Sequence, residues 1–238
     1  LIGGIENNWK ELKYADVLVH FATVKGNNKF TNFEEIFEYN VIKSTKLILN
    51  AVKYNCKKWV IISTSKEEKI VRLIKSKKIN KINSNEPHFT YALAKYIFSK
   101  ICKEFSIFFN AKCRIIKVFQ VYGGDELKTR LWPLLQKHSI HNKDLKMTSG
   151  KQIYDFIHID DVVHGLIQCM NFEKKTKNFP QEWDLASGKS ISVKSFAEKI
   201  WKKNKAKSKI FFSKIKNFDK DTYLPNKKKL WKINSREF

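Results

Sequence analysis

Arginine, cysteine, glycine and long apolar runs are scarce in this 238-residue chain, and each scarcity narrows what it can do. No apolar run approaches the roughly 20 residues that a membrane-crossing helix requires, so no membrane span is expected. The opening Leu1-Ile2-Gly3-Gly4-Ile5 has neither a basic segment nor an apolar core, so no secretory leader is expected there. Cys56, Cys102, Cys113 and Cys169 are scattered without metal-ligand spacing and read as buried thiols of a reducing, cytoplasmic protein. His138-Ser-Ile-His141 has a loose metal spacing but no evident third ligand, so no metal is expected. Only 8 glycines occur, and no Gly-x-x-Gly-x-x-Gly loop for a pyrophosphate is among them. The net charge of +24 invites a nucleic-acid partner, yet it comes from 43 lysines and only 4 arginines. Arginine is the residue suited to bidentate phosphate and base contacts. Lysine is spread along the whole chain and, with Asn and Ile, has the look of an AT-rich genome's codon bias. A nucleic-acid partner is therefore the less favoured reading.

What is present is a globular core, with 42% hydrophobic residues, 18 Phe and 6 Trp, enough for one domain or one and a half. Strands are expected at 16–22, 58–63, 113–119, 153–159, 183–186 and 210–212. Helices are expected at 33–54, 88–108, 132–138, 160–170 and 192–201, the last capped by Ser192. Strands alternating with long helices mean βαβ units and a parallel sheet covered on both faces. Active sites of such sheets lie beyond the carboxyl ends of the strands, where Thr64 and Gln120 fall. The lysine-rich stretch 66–85 reads as a mobile loop at the rim of the site.

Tyr91-Ala-Leu-Ala-Lys95 lies downstream of Ile62-Ser63-Thr64-Ser65. A tyrosine and a lysine four residues apart share one helix face. An ammonium beside a phenol favours the phenolate, and a strand-end hydroxyl can hydrogen-bond a substrate oxygen. Together they can move a proton on and off an alcohol oxygen. The plainer alternative is an amphipathic helix with Tyr91 half buried and Lys95 solvated.

Taken in order, Asp16–Ala22, Asn40 in Tyr39-Asn40-Val41, Ile62–Ser65, Pro87–Lys95, Phe119–Gly123 and Asp155-Phe-Ile-His-Ile-Asp-Asp-Val162 resemble the extended short-chain dehydrogenase/reductase family of nucleotide-sugar epimerases, dehydratases and ketoreductases. The resemblance implies an α/β, Rossmann-like, doubly wound parallel sheet, here N-terminally truncated, with a smaller C-terminal α/β subdomain. Residues 1–124 are then a partial dinucleotide-binding domain. Residues 125–238 are mainly a substrate-binding subdomain, with 152–170 and 183–187 able to return to the main sheet. The implied catalytic residues are Tyr91, Lys95 and Thr64, helped by Ser65. Phe21, Ala22, Asn40, Tyr91 and Lys95 are implied to hold NAD or NADP. Gln120 and Tyr154 are implied to touch a nucleotide-diphosphate sugar, oxidised or reduced at C4, and a homodimer is allowed. Asn40 and Gln120 remain readable as a helix-interior donor and a sheet-end cap. The resemblance makes His158, Asp160, Asp161 and His164 structural or substrate-positioning.

Three departures from the pattern stand out. The glycine loop is missing, as though about fifty residues were absent before Leu1, so this polypeptide alone is expected to bind NAD weakly. Tyr154 stands where many members carry an arginine for the substrate diphosphate. The Tyr-Gly that usually follows the catalytic strand is missing after Thr64. Three functions follow: a nucleotide-sugar epimerase or ketoreductase of surface-polysaccharide synthesis, a non-catalytic fragment of that fold, or a basic nucleic-acid-binding module.

Overall fold

The computed structural model describes residues 9–24, 33–77, 87–173, 178–213, 223–231 and 233. They fall into two compact units, one of 1–118 with 166–183, the other of 119–165 with 184–238.

The first unit is built on strands apolar on both faces. Leu18–His20 (β1), Lys58–Thr64 (β2) and Lys112–Val118 (β3) pair in parallel, Leu18 opposite Trp59 and Thr64 opposite Val118. Gln181–Leu185 (β7) completes a sheet of order β1-β2-β3-β7. β1 is shorter than expected, because the chain leaves the ladder after His20. Successive strand residues alternate between faces. Trp59 and Ile61 of β2 and Cys113 and Ile115 of β3 therefore share one buried face. They pack there with Leu47, Ile48 and Ala51 and with Phe98 and Cys102.

Those partners come from two helical stretches. The first runs as Phe33–Phe37 (α1), a π-helical turn Glu38–Lys43, and Ser44–Lys53 (α2), where a single helix was expected. The second is Pro87–Phe108 (α4). Its opening proline costs nothing, since the first N–H of a helix has no intrahelical partner.

The stretch expected to be a loop after Lys66 instead contains a helix, Glu67–Lys75 (α3). Glu67 and Glu68 in its first turn and Arg72 and Lys75 in its last suit the helix dipole. Its apolar face buries Ile70 against Phe89 and Ala92 of α4. The remaining expected loop residues, 78–85, lie outside the described residues.

On the opposite face of β3, Arg114 is fully buried. Its guanidinium donates to Gln181 Oε1 (3.0 Å) and to the carbonyls of Cys169 (2.8 Å) and Asn171 (2.9 Å), and lies over the Phe172 ring.

In the second unit, Gln120–Tyr122 (β4) pairs in parallel with Ile153–His158 (β6), which pairs antiparallel with Ser190–Ser192 (β8). β4 pairs with β6 within the second unit, and the first unit takes in 1–118 and 166–183. Leu145–Met147 (β5) pairs with Ile210–Phe212 (β9). Leu131–Ile140 (α5) and Val193–Lys203 (α7) cover a core in which Phe156 and Phe196 stack at 4.0 Å. Ser192 caps α7 as expected, accepting the Ser195 N–H. Ile159–Met170 (α6) follows β6 directly.

Arg114→Ala removes the donors from two buried carbonyls at once. It is expected to cost about 2–4 kcal/mol in urea denaturation. Arg114→Lys is expected to recover less than half, because an ammonium cannot serve three fixed acceptors as the planar fork does.

Candidate active site

Tyr91 and Lys95 occupy successive turns of α4, and both side chains point at the carboxyl edge of the sheet. Tyr91 shares a hydrogen bond with the Thr23 hydroxyl, three residues beyond the end of β1. The Lys95 ammonium, 4% exposed, donates to the Ile62 carbonyl near the end of β2 (3.1 Å). The expected lowering of the phenol by Lys95 is not what this environment produces. Burial pushes the Tyr91 phenol up to about 12, with Glu67 pushing the same way and Thr23 opposing. Tyr91 is thus a neutral phenol at physiological pH, the proton-donating form.

The segment after β1 is clamped by Asn40. Its Oδ1 accepts from Val24 N–H (2.7 Å) and from the Thr23 hydroxyl (3.2 Å), while Nδ2 donates to Val24 O (2.7 Å). Asn40 sits in the π turn, a kind of irregularity that recurs at functional sites. Its amide is engaged on the chain itself, holding the segment that presents Phe21, a half-exposed aromatic, and Ala22. His20, the last residue of β1, is 2% exposed and packs on Phe98 at 4.8 Å. Among the described residues neither of its ring nitrogens has a hydrogen-bond partner. Burial, and then the Lys95 charge, bring its pKa down to about 3.

At the end of β2 the pleat separates the Ser63 and Thr64 hydroxyls. Ser63 lies on the α4 face with Trp59 and Ile61, while Thr64 takes the opposite register. The Thr64 hydroxyl accepts from Lys66 N–H (3.4 Å). Ser65 follows the strand in a turn, and its N–H bonds Val118 O (3.1 Å). Beneath this strand end lies a group that sequence reasoning missed. Glu67, 1% exposed, accepts from the hydroxyls of Ser63 and of Ser99 on α4 (2.6 Å). Its second oxygen faces Lys117 (3.6 Å), which also meets Glu68 (3.1 Å) and Glu182 (2.7 Å). Glu67 looked like a solvated residue of a lysine-rich loop, and the serine spacing that could have exposed it, Ser63 to Ser99, spans two elements.

Gln120 and Tyr154 belong to the second unit, Gln120 opposite Phe156 and Tyr154 opposite Ile191. Tyr154 packs against the Phe156 ring and the core there. Asp155 is buried and accepts Ser187 N–H (2.7 Å). His158 accepts Asp160 N–H at the start of α6 (3.2 Å), and a side chain at Gly123 would strike its ring. The His138 ring nitrogen meets Asp144 O (2.9 Å). Among the described residues no three His, Cys, Asp or Glu side chains gather as metal ligands, and no helix is long and apolar enough to cross a membrane.

The depressed His20 pKa sets a pH dependence. A group protonated only in the unfolded chain stabilises the fold above its unfolded pKa, and that stability is lost as pH falls toward the folded value. For His20 the window runs from about 6.5 down to about 3. Between pH 7.5 and pH 5 the wild-type protein is expected to lose about 2 kcal/mol more than His20→Leu, read by urea denaturation. Equal losses would show that His20 is not held neutral.

Comparison with known proteins places this geometry. Residues 6–181 match the model of the NAD dependent epimerase/dehydratase family. The chain is 28% identical over 204 residues to a CDP-abequose synthase of Salmonella muenchen, covering 83% of this chain and 63% of that protein. It is 24% identical over 200 residues to a UDP-glucose 4-epimerase of Cyamopsis tetragonoloba, covering 75% and 55%. The fold superposes on the UDP-glucose 4-epimerase of Thermotoga maritima, solved with UDP-glucose, with a TM-score of 0.73 at 15% identity over 96% of this chain and 75% of that one. The chain therefore spans less than two thirds of the length of these two sequence relatives. A family match that takes in β1, the Asn40 clamp and the whole of α4 with Tyr91 and Lys95 makes this chain a member of the NAD-dependent epimerase/dehydratase family.

Proposed function

We propose that this protein is an NAD(P)-dependent enzyme acting at C4 of a nucleotide-diphosphate sugar, as a 4-ketoreductase or 4-epimerase, in cytoplasmic synthesis of surface-polysaccharide precursors. The observation that carries the reading is the pair on α4. Tyr91 is bonded to Thr23 beyond β1, and Lys95 is bonded to Ile62 O near the end of β2. This is the carboxyl edge of a parallel sheet, where such folds place their chemistry. The two sequence relatives, a CDP-sugar synthase and a UDP-sugar epimerase, support a nucleoside diphosphate sugar as substrate.

The residues on the first unit fit the nicotinamide end of a dinucleotide. Phe21 and Ala22 form a strand-end segment held rigid by Asn40, with Tyr91 and Lys95 beside it. When bound, the reduced cofactor supplies the hydride that the C4 carbon takes. Tyr91 donates its phenolic proton to the C4 oxygen as the ketone becomes an alcohol, and the phenolate regains a proton from solvent. In the oxidising direction the phenolate takes the hydroxyl proton. Lys95, one turn away, keeps its ammonium on the Ile62 carbonyl beside the cofactor segment. Ser65 is assigned the hydrogen bond to the substrate oxygen ahead of Thr64, whose hydroxyl is turned to Lys66 N–H.

In the full-length protein, with CDP- and UDP-sugars as substrates and nicotinamide absorbance and product stereochemistry as readouts, Tyr91→Phe is expected to lose roughly 10²-fold in turnover with little change in KM. Turnover within a few-fold of wild type would remove Tyr91 from the mechanism. Ser65→Ala is expected to slow turnover more than Thr64→Val, and the reverse order would return the role to Thr64.

A further inference from the structure

Chemistry at a hydroxyl needs the phenol and the strand-end serine held to a fraction of an ångström. Tyr91 and Ser65 come from different elements, a helix and a strand end. Apolar packing between those elements is non-directional and tolerates sliding. Hydrogen bonds to one oxygen are directional and do not.

We propose that Glu67 is a positioning residue of the active site, one carboxylate oxygen tying the helix that carries Tyr91 and Lys95 to the strand end that carries Thr64 and Ser65. The inference rests on Tyr91 as the proton-transfer group. Glu67 Oε1 accepts from Ser63, the residue before Thr64, and from Ser99, one helical turn after Lys95. Burial raises the Glu67 carboxyl, and Lys117 and the two serines oppose that rise. Its other oxygen faces the Lys117 ammonium on β3.

The stripe on α4 extends this grip. Tyr91, Lys95, Ser99 and Lys103 recur every four residues, so they lie along one slowly drifting face. Lys95 reaches β2 at Ile62 O, Ser99 reaches Glu67, and Lys103 reaches Glu182 on β7 (2.7 Å). Lys117 joins Glu67 to Glu182, so the contacts of Ser99 and Lys103 form one connected polar system, with the Lys95 bond to Ile62 O one turn before it. The helix is thus pinned at three successive turns against the strands it must serve. Glu67 occupies the segment where the Tyr-Gly of related enzymes is absent, and it supplies this chain's own way of closing the strand end.

The test compares Glu67→Gln and Ser99→Ala in the full-length protein, with Tyr91→Phe as reference. Both variants are expected to lose roughly 10-fold in turnover with KM for the nucleotide sugar within twofold, the pattern of misplaced reacting groups. Should Glu67→Gln fail to fold, Ser99→Ala carries the test, since alanine suits a helix interior. Wild-type turnover in Ser99→Ala, or in a folded Glu67→Gln, overturns the inference. Unimpaired Tyr91→Phe would instead overturn the proposed function, which separates the two failures.

Discussion

The ammonium of Lys117 is the group around which the first unit is arranged. It is 5% exposed, on a strand whose neighbours on the same face are Cys113 and Ile115. Burial alone would lower its pKa, but Glu67, Glu182 and Glu68 more than offset that and raise it. A buried charge that loses its partner is strongly destabilising, so β3, α3 and β7 must keep their relative placement. Glu182 in turn holds Lys103 of α4, and the two lysines bring its carboxyl well below the usual range against the effect of burial. The apolar core of Trp59, Ile61, Phe98 and Ile115 provides most of the burial, while these polar contacts supply direction.

The same competition between burial and charge decides the state of the candidate catalytic groups. A lysine four residues from a tyrosine lowers its pKa only if the ammonium outweighs the loss of water around the phenol. Here Lys95 donates to the Ile62 carbonyl, and burial prevails at Tyr91. His20 shows the same balance from the other side, because burial and the Lys95 charge both disfavour the imidazolium. A proton-donating phenol, a neutral histidine and a pinned ammonium thus lie on adjoining elements. The Asn40 clamp fixes the segment through which Thr23 reaches Tyr91.

Much of this fold could be read from the chain because the reading depended on local pattern. The runs at 58–64 and 112–118 are apolar enough to be strands buried on both faces, and the structure pairs them in parallel. The helix carrying Tyr91 and Lys95 spans 87–108, within one residue of expectation. Helix α3 escaped notice because its lysines and glutamates resemble a solvated loop, and only packing of Ile70 on Phe89 and Ala92 distinguishes the two. The short strands β4, β5 and β8, three residues each, carry too few side chains to show a period.

What the sequence determined by itself was the pairing of a phenol and an ammonium on one helix face, downstream of a hydroxyl-rich strand end in an α/β chain. Those features need only spacing along the backbone, which periodicity encodes directly. Tertiary structure decided which hydroxyl faces the helix, since that follows from the pleat and places Ser63 with Trp59 and leaves Thr64 opposite. It also decided the protonation of Tyr91, since burial depends on everything packed around the ring. Most of all it decided the role of Glu67, whose partners Ser63, Ser99 and Lys117 come from three elements far apart in the chain. A contact of that kind leaves no local signature, because its energy arises only once the elements have met.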